Sequence, residues 1–398
     1  VKERNTILWS GDFVKICLSS FFVFLTFYTL ATSLPVYVKD NFHGTGQQIG
    51  LTMTVFVIAA VLLRSFSGKW MAQYGERKVA VISLAAFFVV SAAYLNIAGM
   101  AMLLLLRFLH GGSFAIATTS TNALALRLIP ENRKGEGISY FSLFMSLAMV
   151  IGPFVGLTIT SHLSYGYLFG ICAIFGLLAL LFGMSTRAPK LPMAQKNVKE
   201  KFHWSQLIET KAIPIGLAGF VLAFAYSGLT SFISLYAKEL SMGSLASYFF
   251  VFFGVMIVLP RPLIGKILDK YGEHVIVYPS IGTFTIGMLL LGLAHSPASF
   301  LLSGLVCGLG YGALLPCFQT IAVQAANVHR RAVAIATFFV LFDLGYGVGS
   351  YLLGVLASSS GYSAVYMISA IIVAFTAIIY FILHHKRNVN PAIEHGVE

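Results

Sequence analysis

Twelve stretches of this chain are apolar for long enough to cross a lipid bilayer, and no soluble fold accommodates that pattern. They run over roughly 13–37, 48–71, 79–98, 101–128, 136–160, 164–185, 212–237, 245–267, 275–295, 298–326, 332–357 and 362–383. About 20 residues span the hydrocarbon as a helix. The runs are continuous rather than alternating, and about twice the length of a barrel strand, so they read as helices. Only 10% of the residues are charged and 58% are apolar. A soluble domain carries about 25% charged residues, so a soluble enzyme of this length would lack the ionic groups to cover its exterior.

The formal net charge is +12, which in a soluble protein would suggest nucleic acid. Here the charge is sorted by side. Of the 26 Lys and Arg, Lys39 and Lys238 fall in one set of loops, and Lys15, Arg64, Arg107 and Arg261 fall within or at the edge of spans. The other 20 lie in the N-terminus, the C-terminus and the loops after even-numbered spans. The positive-inside rule then places both termini in the cytoplasm of a multi-pass plasma-membrane protein. The first run is too long for a signal-peptide core and reads as a retained helix. The segment 186–211, with Pro189, Pro192 and five Lys, separates six spans from six. The expected organisation is a six-helix bundle over 1–185, a cytoplasmic linker over 186–211, and a second bundle with a short tail over 212–398.

The two halves match at a constant offset of 197. Arg64 pairs with Arg261, Gly68 with Gly265, Gly75 with Gly272, Glu76 with Glu273, Gly111 with Gly308, Asn122 with Gln319 and Gly152 with Gly349. Charged residues and glycines seldom align together by chance over so long a stretch. Parallel repeats of six spans imply two similar bundles about a pseudo-two-fold axis along the membrane normal, able to rock about a central cavity. The fold class expected is an all-α membrane protein of twelve helices in two six-helix bundles.

The loop after span two reads Gly68-Lys-Trp-Met-Ala-Gln-Tyr-Gly75-Glu-Arg77-Lys78, and its second copy reads Gly265-Lys-Ile-Leu-Asp269-Lys-Tyr-Gly272. Span four carries Arg107-Phe-Leu-His110-Gly111-Gly112, and span five Gly152-Pro153-Phe-Val-Gly156-Leu157. With these motifs the chain resembles the major facilitator superfamily over nearly its whole length. The last motif resembles the signature of drug/proton antiporters of that family, with Leu157 in place of a final Gly. The segment from Glu136, with Asp343-Leu-Gly345, is also similar to staphylopine exporters. The resemblance implies a cytoplasmic latch or gate built from Arg64, Gly68, Gly75, Arg77, Arg261, Gly265, Asp269 and Gly272. Ala72 replaces the usual Asp of the first copy; only Asp269 can meet the partial positive charge of a helix N-terminus. Small residues four apart, Gly152 and Gly156, suit close helix packing, and Pro153 invites a kink.

Asp343 is the only carboxylate in the interior of any span. It lies about 16 Å along span eleven at the helical rise, near the midplane. An Asp there costs about 2.5–3.5 kcal/mol on insertion scales, so it is expected to face a cavity or a partner and to carry the proton coupling. Arg107 is its natural partner, with the role the resemblance assigns that Arg, and His110 shares a helix face with it. A structural ion pair or a hydrogen bond between helices is the competing account of these charges. Tyr28, Asn122, Tyr226, Tyr311 and Gln319 are candidates for a mildly polar substrate cavity, with helix-to-helix hydrogen bonding as the alternative for each.

The four Cys show neither metal-ligand spacing nor a disulfide framework. No phosphate loop of the Gly-x4-Gly-Lys-Ser/Thr kind is present, and no nucleophile, base and orienter form a constellation. The expected protein is a monomeric secondary transporter rather than an enzyme, without cofactor or metal. Its partners are protons, a small-molecule substrate and the bilayer, not nucleic acid. Efflux of amphipathic, drug-like compounds by alternating access is the first reading. Export of an endogenous metabolite such as an opine metallophore, or import of a sugar or organic acid, are the alternatives.

Overall fold

The computed structural model describes residues 8–130, 133–187, 208–327 and 330–385, which are helix and turn with no strand among them. The helices are α1 (Gly11–Phe42), α2 (Gly46–Tyr74), α3 (Glu76–Ala93), α4 (Met100–Leu128), α5 (Lys134–His162) and α6 (Tyr165–Ser185), then α7 (Ile213–Glu239), α8 (Leu245–Val258), α9 (Arg261–Tyr271), α10 (His274–Gly292), α11 (Pro297–Gln324) and α12 (Arg331–Tyr380). Ten helical stretches are long and apolar enough to cross a membrane, and Leu245–Val258 is apolar but shorter. Ser10 caps α1 by accepting from the Phe13 N–H, and Ser296 and Ser299 form a capping box at α11. Each cap satisfies donors that a helix start leaves unpaired.

One element differs from the sequence expectation. The eighth run does not form one helix: α8 ends at Val258 and α9 begins at Arg261. Pro260 lies between them; Leu259 keeps helical φ/ψ (−63°, −43°), and what Pro260 removes is the N–H that would continue the hydrogen-bond ladder. The eleventh and twelfth runs are two helices, as expected: α12 is broken at Gly361 (φ 81°, ψ 171°), between the expected end at 357 and the expected start at 362. Its 50 residues would be about 75 Å long if straight, more than twice the roughly 30 Å hydrocarbon. The chain therefore turns at Gly361, where glycine carries no penalty for positive φ.

Contacts divide the chain into two compact units. The first takes in α1, α3–α6 and most of α2; the second takes in Thr45–Thr54, the start of α2, together with α7–α12. Lipid offers helices no hydrophobic drive to associate, so close backbone approach has to supply it. In the first unit a Cβ on Gly111 would lie 2.0 Å from the Phe56 carbonyl oxygen. In the second, a Cβ on Gly308 would lie 2.1 Å from the Phe253 carbonyl oxygen. Both the glycines and the phenylalanines are related by the offset of 197. Gly152 meets α1 at Tyr28 and Thr29, and its counterpart Gly349 meets α7 at Phe224.

The start of α2 lies on α12 within the second unit. A Cβ on Gly46 would meet the Gly354 oxygen at 2.4 Å, and one on Gly50 the Ser350 oxygen at 2.1 Å. The Thr54 hydroxyl donates to the Gly347 oxygen at 2.7 Å. The Ser350 hydroxyl donates to the Gly50 oxygen at 3.3 Å.

Ion pairs gather at helix ends. Arg127 pairs with Glu76 at 2.6 Å in the first unit. In the second, Arg330 pairs with Glu209 and donates to the Ile208 oxygen at 2.9 Å, while the Glu209 N–H donates to Thr337 at 3.0 Å. The Arg330 hydrogen bond outweighs the opposing effect of burial and, with the Lys211 N–H, holds the Glu209 carboxyl below its ordinary value of 4.5. Of the expected linker 186–211, residues 188–207 lie outside the described residues.

Gly111→Ala and Gly308→Ala are each expected to destabilise the protein by about 1–3 kcal/mol through overpacking. Gly68, where an added Cβ would meet nothing within 4 Å, is the control: Gly68→Ala should be neutral or gain up to about 1 kcal/mol in helix propensity. Thermal unfolding in detergent reads both. A carboxylate depressed in the folded state stabilises above its unfolded value and loses that contribution as pH falls through the lower folded value. Glu209→Gln should therefore lower stability by about 2 kcal/mol at neutral pH, and the deficit should shrink as wild type is titrated below pH 4.5.

Candidate functional site

In the second unit, Asp343 sits half-buried on α12. The residues either side of it hold α12 against α7: a Cβ on Gly345 would lie 2.1 Å from the Phe220 oxygen, and Leu341 fills the space over Gly216. Asp343 is two residues from each, so it lies off that packed face. Three residues on, Tyr346 shares the face of Asp343. Its hydroxyl is hydrogen-bonded to Thr230 of α7. The Tyr346 ring lies 6.0 Å from Tyr226, and Tyr226 stacks on Tyr311 of α11 at 4.2 Å. Phe253 of α8 closes the group, 5.9 Å from Tyr311. Two expected cavity residues, Tyr226 and Tyr311, thus come together, and Tyr346 joins them. Nothing singled out Tyr346 in the sequence except its spacing of three from Asp343. All three tyrosines are buried. Gln319 is half-buried on α11.

In the first unit, Arg107 and His110 of α4 are both completely buried. The Arg107 guanidinium lies 4.3 Å over the Phe56 ring, a cation–π arrangement strengthened by desolvation. It also hydrogen-bonds Tyr94. The His110 ring is held between Ser91 (Oγ to Nε2 3.4 Å) and Tyr94 (OH to Nδ1 3.4 Å), with Phe87 at 4.4 Å. The expected shared face of Arg107 and His110 is real, and Tyr94 and Phe56 contact both. Ser91 and Tyr94 were not foreseen as partners. Tyr28 of α1 is half-buried, packed on Phe27 at 4.9 Å, and Asn122 is exposed on α4.

The two copies of the loop motif share one geometric demand. Gly75 has φ +86° and Gly272 φ +80°, a left-handed conformation that side chains resist. Arg77 donates to the Met184 oxygen at 3.1 Å, fastening the start of α3 to the end of α6. Arg64 and Arg261 are half-buried, and Gly68 is exposed. Gly265 and Asp269 lie outside the residues whose side chains are described. On α5, a Cβ on Gly156 would meet Ser33 at 2.3 Å, and Thr29 donates to the Gly152 oxygen at 3.1 Å beside Pro153. These contacts make the segment a packing face for α1.

Among the described residues no three His, Cys, Asp or Glu are placed to hold a metal ion, and all four Cys are buried and free. What the two units present is one half-buried carboxylate, Asp343, one helical turn from Tyr346 and, separately, one buried guanidinium, Arg107, among aromatic rings.

The sequence profile described as Major Facilitator Superfamily matches residues 16–296 and 262–396. The chain is 24% identical over 377 residues to an uncharacterized MFS-type transporter, YhhS, of Escherichia coli (strain K12), covering 92% of this chain and 91% of that protein. It is 25% identical to YhhS of Salmonella typhimurium over the same shares. Among solved structures, a mutant form of the nucleoside transporter NupG superposes with TM-score 0.79 at 14% identity, covering 94% of this chain and all of that one (100%). A bacterial homolog of the human lysosomal transporter Spinster gives TM-score 0.77 at 14% identity, covering 96% and 97%.

Proposed function

The chain belongs to the Major Facilitator Superfamily, and from that premise we propose that it exports small amphipathic compounds in exchange for protons, by alternating access. It is a multi-span membrane transporter, with homologues that are transporters rather than enzymes. The finer reading counts twelve spans: α8 with α9 as one and α12 as two, in bundles of six related by a pseudo-two-fold axis. Both termini face the cytoplasm and the transporter acts as a monomer.

The observation that carries the proton exchange is Asp343. It is a carboxylate deep in an apolar helix, set off the face that packs on α7 and one turn from Tyr346. An ionisable group kept at such depth despite its cost marks a proton or ion pathway, and a carboxylate can alternate there between charged and neutral forms. Arg107 serves the same step from the first unit, with His110 and Tyr94 orienting it. The cluster of Tyr226, Tyr311 and Tyr346 is buried in this state and meets the compound once these helices part, with Tyr28, Asn122 and Gln319 as polar contacts. The Gly152-Pro153-Gly156 segment supports export over import through its likeness to the exporter signature. The gate consists of the loop glycines with Arg64, Arg77, Arg261 and Asp269, and of the seam between the start of α2 and α12.

The test uses inside-out vesicles with an acid interior and a pH-sensitive dye. Lipophilic cations, metallophores and sugars are added one at a time. Substrate-dependent proton release is expected for an amphipathic compound and is expected to vanish in Asp343→Asn. Full gradient-driven transport by Asp343→Asn, from folded protein, would overturn the assignment. A response to a metallophore alone would narrow the substrate to a secreted metabolite, and sugar uptake by intact cells would reverse the direction. The seam has its own expectation. Gly50→Ala places a Cβ against the Ser350 oxygen, an overpacking worth about 1–3 kcal/mol. It should shift the balance away from the closed seam and slow turnover about tenfold, with binding retained, as measured by initial transport rates.

A further inference from the structure

A groove of about 400 Å³ runs along the first unit between α2, α3 and α4. Its walls include Leu63, Trp70 and Tyr74 of α2, Ile82 and Ala86 of α3, and Leu109 of α4, with Ser83 and Ser113 between them. The residues on each helix recur at spacings of three, four and seven, so each contributes one continuous face. At the helical rise the α2 wall is about 16 Å long and the α3 wall about 10 Å. The groove therefore lies along the helices rather than across them.

Nothing in the wall calls for a polar occupant. The Ser83 hydroxyl donates to the Ala80 oxygen at 3.0 Å and the Ser113 hydroxyl to the His110 oxygen at 3.0 Å. One end of the groove is different. Trp70 and Tyr74, side chains suited to a membrane–water interface, stand where α2 ends. Lys78 lies one turn before Ile82 on α3, and Lys69 flanks Trp70. Both lysines are exposed, and neither makes an ion pair or hydrogen bond among the described residues. The carboxylate beside them, Glu76, is taken by Arg127 at 2.6 Å, so no carboxylate among the described residues offsets the charge of this rim.

We propose that this groove binds an anionic phospholipid, with one acyl chain lying between α2, α3 and α4 and the headgroup on Lys78, Lys69 adding its charge nearby. The apolar channel, its alignment with the helices and the cationic rim at the interfacial end all match one molecule with an apolar tail and a negative head. A zwitterionic lipid carries the same phosphate but offsets it with its own cation, so it answers the rim less strongly. The inference does not depend on what the protein transports.

Trp70 provides the reporter. Substituting Trp9→Phe and Trp204→Phe leaves it as the single tryptophan of the full-length chain. The protein is reconstituted in vesicles of phosphatidylcholine mixed with phosphatidylglycerol, either lipid carrying dibrominated acyl chains that quench tryptophan on contact. Quenching by brominated phosphatidylglycerol should exceed that by brominated phosphatidylcholine at equal mole fraction. The relative affinity expected is about fivefold per lysine, the usual effect of one cation near an anionic surface. Lys78→Ala should remove most of the difference, and salt should weaken it. Ala86→Phe, which fills the channel, should reduce quenching by both lipids. Equal quenching by the two lipids would overturn the proposal, since any bilayer lipid would then cover the groove. Weak quenching by both would overturn it as well, showing the groove closed by a second copy of the chain or another protein.

Discussion

In a bilayer, apolar side chains are as comfortable against lipid as against each other, so the packing of this protein depends on how closely its helix backbones approach. Glycine sets that distance. Gly111 against the Phe56 carbonyl and Gly308 against the Phe253 carbonyl leave no room for a Cβ, and each joins a pair of helices within its own unit. Gly345 and Gly349 do the same for α12 on α7. These contacts explain why the repeat is so visible in glycines. A glycine whose place is filled by a neighbouring carbonyl cannot drift to another residue, whereas a lipid-facing Leu can become Ile or Phe at little cost.

The chemistry follows a different rule from the scaffold. At the repeat offset, Arg107 corresponds to Gly304, His110 to Cys307 and Asp343 to Ser146. The backbone frame occurs twice, yet each ionisable group deep in it occurs once. A buried charge is costly wherever it is placed, so a duplicated frame has no reason to keep two copies. The guanidinium in the first unit is accommodated by an aromatic face and a phenol, and the carboxylate in the second by its position off the packed face near Tyr346.

Much of the frame was legible from hydropathy and spacing, because membrane length and helical period are properties of short stretches. The runs that became α1–α7 lie close to the expected bounds, and Gly75 and Gly272 were marked by the repeat before their positive φ gave the reason. Other features depend on what hydropathy does not register. The break at Pro260 is a matter of backbone conformation inside uniformly apolar sequence. The partners of His110, and the meeting of Tyr346 with Thr230, join helices far apart in the chain, with spacing alone insufficient to choose among many tyrosines and serines. The assignment of the first residues of α2 to the second unit was illegible for the same reason. It rests on Gly46, Gly50 and Thr54 meeting Gly354, Ser350 and Gly347, a register fixed only in three dimensions.

The split of α2 bears on energetics under the proposed exchange. The start of α2 packs on α12 within the second unit, so any opening of that seam has to break these contacts. Its start is held by glycine contacts and by two hydroxyl-to-carbonyl hydrogen bonds, each worth about 1 kcal/mol net, rather than by a salt bridge. Such a seam is within reach of the driving force: one proton crossing 100 mV supplies about 2.3 kcal/mol. A buried ion pair in the same place would leave two desolvated charges to be accommodated each time the seam opened. Small residues at the seam and a single carboxylate at the proposed proton site therefore belong to the same solution, in which each barrier stays comparable to the energy of one transported charge.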